Sequence, residues 1–179
     1  MSTLKIPVGS MDHMQGNADA RLVLVEYGDY QCPACGFAYP VVKALQSQFA
    51  GHLCFVFRNF PLAEAHPQAV EAACVAEFAA TRGKFWSVHD ALYENQDELD
   101  LHLYEKIIRE QGLKCHELRD ALDSGLFLQR VRGDFNGGVR SGVNGTPTFF
   151  INGVRYDGEV DVDVMADVLD RFAFSAGVA

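Results

Sequence analysis

The stretch Arg21-Leu-Val-Leu-Val-Glu-Tyr-Gly-Asp-Tyr-Gln-Cys-Pro-Ala-Cys35 decides how the rest of the chain is read. Its first seven residues are a valine-rich apolar run stopped by Gly28 and Asp29, the pattern of a buried strand. The cysteine pair follows in a turn. Beyond it, Phe37, Val41, Leu45 and Phe49 recur every four residues up to Gly51, the spacing of an amphipathic helix whose first turn begins at the pair. His52-Leu-Cys-Phe-Val-Phe-Arg58 returns to an apolar run. Strand, helix and strand with short links open a right-handed parallel βαβ unit, so the fold class is α/β.

Working outward, residues 65–141 change period. Val70, Ala73, Cys74 and Phe78 mark one helix, Phe85, Val88, His89 and Leu92 a second, and Leu101, Tyr104 and Ile108 a third. Gly83, Gly112 and Gly125 punctuate the pattern, and further helical turns fall at Leu118–Leu122 and from Leu128 to Val139. This region reads as an inserted helical subdomain of four or five helices. The chain then returns to strands, with Asn152-Gly153 between Thr148–Ile151 and Val154–Tyr156, a dipeptide suited to a two-residue hairpin because both positions tolerate positive φ. A last helix is predicted from Asp161, as its N-cap, through Val164, Val168, Leu169 and Phe172. The expected organisation is a polar N-terminal leader (1–20), a core from 21–64 and 142–175, and the helical insertion at 65–141.

With 179 residues, 49% hydrophobic and 22% charged, the chain holds enough apolar material for one compact core. A formal net charge of -9, with Lys and Arg scattered, gives no electrostatic footprint for nucleic acid or an anionic membrane surface. No run approaches the roughly 20 apolar residues that span a bilayer, and the first twenty residues lack the apolar block of a secretory signal. The expectation is therefore a cytoplasmic protein, or a periplasmic one if a leader has been removed. Five cysteines are an odd count with one close pair, a poor disulfide framework. One functional pair and three inert core thiols, Cys54, Cys74 and Cys115, is the simplest partition.

At the strand-to-helix junction, Cys32 falls beside unpaired backbone N–H groups and the positive end of the helix dipole, which favours a thiolate. A free cysteine has a pKa of about 8.5, and those in such motifs fall to about 3.5 to 7.5. Cys35 comes one turn later, within reach of the first sulfur but more buried, as a resolving thiol requires. Pro33 is tolerated in the first turn, where its missing N–H costs little. A structural zinc site would need two more ligands at suitable spacing, and neither a second Cys-x-x-Cys nor a His-x-x-x-His pair accompanies the motif. No metal is expected.

Glu26, Cys32-Pro-Ala-Cys35 and Gly145-Thr-Pro-Thr-Phe-Phe150, separated by a helical insertion, resemble the DsbA-like branch of the thioredoxin superfamily, from about Leu22 to Phe172. The resemblance implies a thioredoxin-like fold whose helical subdomain is inserted between the second and third core strands. It also implies a cis Thr146–Pro147 bond facing the cysteine pair, a substrate surface at Pro33, Ala34, Thr146 and Pro147, and a buried acid at Glu26 that exchanges a proton with Cys35. From the residues alone, Thr-Pro is a turn entry and Glu26 has an alternative as an outward-facing strand-edge glutamate. Two departures bear on redox strength: the central dipeptide is Pro-Ala rather than Pro-His, and Gln31 stands where an aromatic residue is frequent.

The expected activity is disulfide exchange with protein or peptide thiols, through a mixed disulfide at Cys32 resolved by Cys35. It needs no organic cofactor, and a redox partner such as glutathione or a reductase would recycle it. A glutathione-linked isomerase or transferase on a related fold would keep its activity without Cys35. A thioredoxin-like chaperone or binding module would hold clients with both cysteines replaced. His66-Pro67 is read as a helix start, His89 as packed or half-exposed, and Trp86 as core or groove lining, none of them catalytic.

Overall fold

In a computed structural model the described residues are 2–175. The elements run β1 (His13–Gly16), β2 (Leu22–Gly28), α1 (Pro33–Gln48), β3 (Leu53–Asn59), α2 (Ala69–Ala80), α3 (Phe85–Glu94), α4 (Leu101–Glu110), α5 (Cys115–Asp123), α6 (Leu128–Arg140), β4 (Thr148–Ile151), β5 (Val154–Tyr156) and α7 (Val162–Ser175). They form one five-stranded sheet in the order β1-β3-β2-β4-β5. β2 runs parallel to β3, as a βαβ unit requires, and antiparallel to β4, which pairs antiparallel with β5 as a hairpin. Asn152 (φ 47°) and Gly153 (φ 80°) make the predicted turn between β4 and β5.

Period-two alternation sends the two sides of each strand into different clusters. Leu22, Leu24, Phe55, Phe57, Phe149 and Ile151 face α1 and pack with its Val42 and Leu45. Val25, Tyr27, Cys54, Val56 and Phe150 face the opposite way, onto Phe60, Val143 and Phe135 of α6. The insertion contributes five helices, α2 to α6, but its first four share the α1-side cluster: Ala72, Phe78, Leu92, Tyr104 and Leu118 belong to the same buried group as Leu24. Turn and insertion are therefore parts of one packing unit, which matters for the site.

The predicted polar leader contains structure. β1 lies within it and pairs antiparallel with β3, His13 opposite Phe57 and Gly16 opposite Cys54. Its sequence, His-Met-Gln-Gly, has no β-branched residue and no alternation to betray a strand. Partners far along the chain hold it instead: His13 stacks on Phe85 with ring centroids 3.6 Å apart, and the Trp86 indole N–H donates to the Met14 carbonyl at 3.0 Å. Ahead of it, Thr3 bridges Val154 at the other border of the sheet. The carbonyls of Ile6 and Pro7 then accept from the Arg58 guanidinium at 2.9 and 3.1 Å, and the Asp12 carboxylate closes on the same group at 2.8 and 2.9 Å.

α7 is capped as its sequence predicts. The Asp161 carboxylate accepts from the backbone N–H groups of Asp163 at 2.9 Å and Val164 at 3.2 Å. The helix then buries Met165 and Leu169 in the α1-side cluster. Asp161→Ala is expected to cost about 1 kcal/mol, the usual value of a side-chain N-cap. A fall in the urea midpoint at unchanged slope checks this.

Candidate active site

Glu26 sits two residues beyond Leu24 on β2, so alternation turns it under α1 rather than outward. It is 2% exposed, and its Oε1 has no hydrogen-bond partner. After β2 the chain turns sharply, with the Cys32 N–H donating to the Asp29 carbonyl at 3.1 Å, and α1 begins at Pro33 with Cys32 as its N-cap. Both thiols are free, Cys32 being 6% exposed and Cys35 fully buried. Pro33 and Ala34 are exposed on the outer side of the turn, and Phe37 beside them is 68% exposed. Thr146 and Pro147, joined by a cis bond, are half-buried, and the Thr146 carbonyl accepts from the Cys32 thiol at 3.3 Å.

These surroundings drive the two thiols apart. A hydrogen bond from the Cys35 thiol holds Cys32 down to about 5 against the opposing effect of burial, with help from the Thr146 side chain and the backbone N–H groups of Cys35 and Ala34. The Thr146 hydroxyl is buried without another partner, so it is free to donate to the thiolate. Burial pushes Cys35 well above its ordinary value, reinforced by the bond it gives to Cys32 and by the charges of Glu26 and Cys32. Burial likewise lifts Glu26 to about 8, with the Cys32 thiolate adding to the shift. The arrangement yields one ionised sulfur at the N-terminus of α1, one protonated sulfur a turn further in, and on β2 a buried carboxyl that keeps its proton up to about 8.

A sequence profile described as Thioredoxin matches residues 9–171. This chain belongs to the thioredoxin family. Its fold is DsbA-like. Oxidised BdbD from Bacillus subtilis superposes with a TM-score of 0.86, covering 96% of this chain and 97% of that one at 23% identity. Alpha-DsbA1 from Wolbachia pipientis gives 0.84, covering 98% and 96% at 21% identity. Among curated proteins, "Na(+)/H(+) antiporter NhaA 1" of Mycobacterium sp. (strain KMS) is 38% identical over 174 residues. That match takes in 94% of this chain and 28% of the relative, so the chain spans little more than a quarter of that protein. Among the described residues, no helix is long and apolar enough to cross a membrane.

Around this thioredoxin-family turn lie polar residues that the sequence reading passed over. Asp29 is buried, and its carboxylate accepts from the Gln31 N–H at 2.8 Å and the Leu62 N–H at 2.9 Å, with the His66 Nδ1 at 2.8 Å. Gln31, noted only as a departure, accepts the Gln68 N–H at 2.6 Å and so ties the turn to the start of α2. Asp29 had one signal, a charged residue directly after an apolar strand; the partners of Gln31 had none. His66 thus precedes α2 and supports the turn. His89 is buried, with its Nδ1 3.0 Å from the Tyr30 hydroxyl, and burial holds it down to about 3, so it is neutral. Trp86 packs against Phe55 and β1. Cys54 and Cys74 are buried thiols, but Cys115 is not a core residue: it is half-buried at the first position of α5, its Sγ 3.4 Å from the Glu105 carbonyl.

Proposed function

We propose that this protein is a thiol–disulfide oxidoreductase acting on protein or peptide thiols, with Cys32 as the attacking thiol and Cys35 as the resolving one. The observation that carries this reading is the placement of two free thiols one helical turn apart at the N-terminus of α1, Cys32 against the carbonyl of the cis-linked Thr146 at 3.3 Å and Cys35 fully buried, an arrangement that lowers the acidity of the second and raises that of the first. Such a pair gives a nucleophile and leaving group at the N-terminus of α1, backed by a thiol that attacks once a mixed disulfide forms.

In the oxidising direction a substrate thiolate attacks Cys32 Sγ of the Cys32–Cys35 disulfide, the S–S bond breaks, and Cys35 leaves as a thiolate. Glu26, protonated at neutral pH, would give Cys35 its proton. A second substrate thiolate then attacks the substrate sulfur of the mixed disulfide, forming the substrate disulfide and releasing Cys32 as a thiolate. The pair ends reduced by two electrons, and a redox partner must reoxidise it. A low pKa on the departing sulfur speeds the second step and stabilises the reduced pair, so we assign the protein the role of disulfide donor. That direction suits an oxidising compartment such as the periplasm rather than the cytoplasm. Pro33, Ala34, Thr146 and Pro147, with exposed Phe37, form the surface against which the substrate chain would lie. Exchange between sulfurs needs neither metal nor organic cofactor.

Cys35→Ser tests the assignment. Incubated with a peptide disulfide, the variant should accumulate one adduct per chain at Cys32, read by mass, whereas the wild type passes through it and closes the internal disulfide. No adduct would overturn the mechanism. Full turnover without Cys35 would favour the glutathione-linked alternative.

A further inference from the structure

The cysteine turn is gripped from outside by a residue that the exchange chemistry does not use. Gln96 opens the short 3-10 turn Gln96–Glu98 between α3 and α4, and its Nε2 donates to the carbonyls of Tyr30 and Cys32, both at 2.8 Å. Both neighbours are acceptors only, which fixes the orientation of the amide, since its oxygen in that place would face two lone pairs. The Cys32 carbonyl also accepts from the N–H groups of Cys35 at 3.0 Å and Gly36 at 3.1 Å. It is therefore saturated with donors immediately beside the sulfur it belongs to.

Gly36 is what lets Gln96 come so near. A Cβ at position 36 would fall inside van der Waals contact of the Gln96 side-chain oxygen and carboxamide carbon. The glycine and the glutamine thus form a matched pair, one giving up its side chain so that the other can reach the turn.

We propose that Gln96 is a positioning residue for Cys32, through which the helical insertion sets the acidity of the nucleophile. Its two hydrogen bonds hold the Tyr30–Cys32 backbone so that the N–H groups of Ala34 and Cys35 stay aimed at the sulfur, and its N–H dipole offsets the negative end of the Cys32 carbonyl. The inference rests on the reading of Cys32 as the attacking thiol.

The test is the ultraviolet thiolate titration of the reduced protein, with unfolding midpoints measured alongside. Gln96→Met keeps the volume and removes both donors. It should raise the Cys32 midpoint by about half a pH unit or more, a fall of about threefold in the thiolate-to-thiol ratio at a given pH. Gly36→Ala, which displaces the carboxamide, should shift the titration in the same direction, and the double variant Gly36→Ala, Gln96→Ala no further than either single change, because both remove one interaction. Gln96→Glu, a carboxylate beside two carbonyls, should shift it at least as far. Titration curves that stay on the wild type in Gln96→Met and Gly36→Ala, while Cys35→Ser still traps the mixed disulfide at Cys32, would overturn the inference, whatever happens to stability. If Cys35→Ser forms no adduct at Cys32, the parent reading fails first, and that is seen without any change at Gln96 or Gly36.

Discussion

Cys32→Ser should lower catalysed disulfide exchange by roughly four orders of magnitude or more, to the background of small thiols in solution. With Cys32 held down to about 5, about 99% of it is thiolate at pH 7, whereas a serine hydroxyl neither ionises nor forms a disulfide. No other thiol can take over. Cys35 is fully buried and pushed well upward, and Cys54 and Cys74 are buried with raised values, Cys74 at about 11. Cys115 is half-buried, but it stands at α5 with no second cysteine beside it among the described residues. The rate at which a peptide dithiol is oxidised in a glutathione buffer is the measurement. Retention of even a tenth of the wild-type rate would remove Cys32 from its assigned role.

Glu26→Gln should stabilise the folded protein by roughly 3 kcal/mol at pH 7, and by little at pH 4.5. The sign follows from proton counting. In the unfolded chain the carboxyl ionises at its ordinary value of 4.5, while burial first, and then the Cys32 charge, keep it protonated in the fold until about 8. Between those values the folded state holds the extra proton, so stability falls as pH rises. Glutamine cannot ionise and removes that slope. Cys32 contributes the reverse: its depressed value stabilises the reduced fold above the unfolded value of 9, and that stability drains away as pH falls through about 5. Cys32 titrates where Glu26 is still protonated in the fold, so this second slope is nearly common to both proteins. Denaturant titrations from pH 4.5 to 8 check the prediction, and parallel curves for the two proteins would mean that Glu26 does not hold its proton.

How far the site was legible depended on the reach of the interactions that build it. The cysteine pair at a strand-to-helix junction and the Asn152-Gly153 turn are local chemistry and are readable as such. The side of the sheet that Glu26 occupies was open to two readings, and its register beside Phe57 and Phe149, on the same face as Leu24, settles it. The supports of the turn were not legible, because their partners lie far along the chain: Asp29 and His66 are 37 residues apart, Gln96 and Tyr30 are 66. β1 was hidden for the same reason. Periodicity put four or five helices in the insertion, and there are five, but periodicity says which face is apolar and not which core receives it. The sharing of one cluster between α1 and α2 to α5 is a tertiary fact.

The opening residues cross the sheet from border to border, Thr3 beside Val154 at one side and His13–Gly16 along β3 at the other. A strand border left bare is a template for a neighbouring molecule, and proteins guard such borders against association. Here a single ribbon guards both. Detaching it would unmask two adhesive rims at once and strip Arg58 of Asp12 and of the Ile6 and Pro7 carbonyls. Injury far from the sulfurs would then surface first as clumping, with the chemistry of the turn still intact.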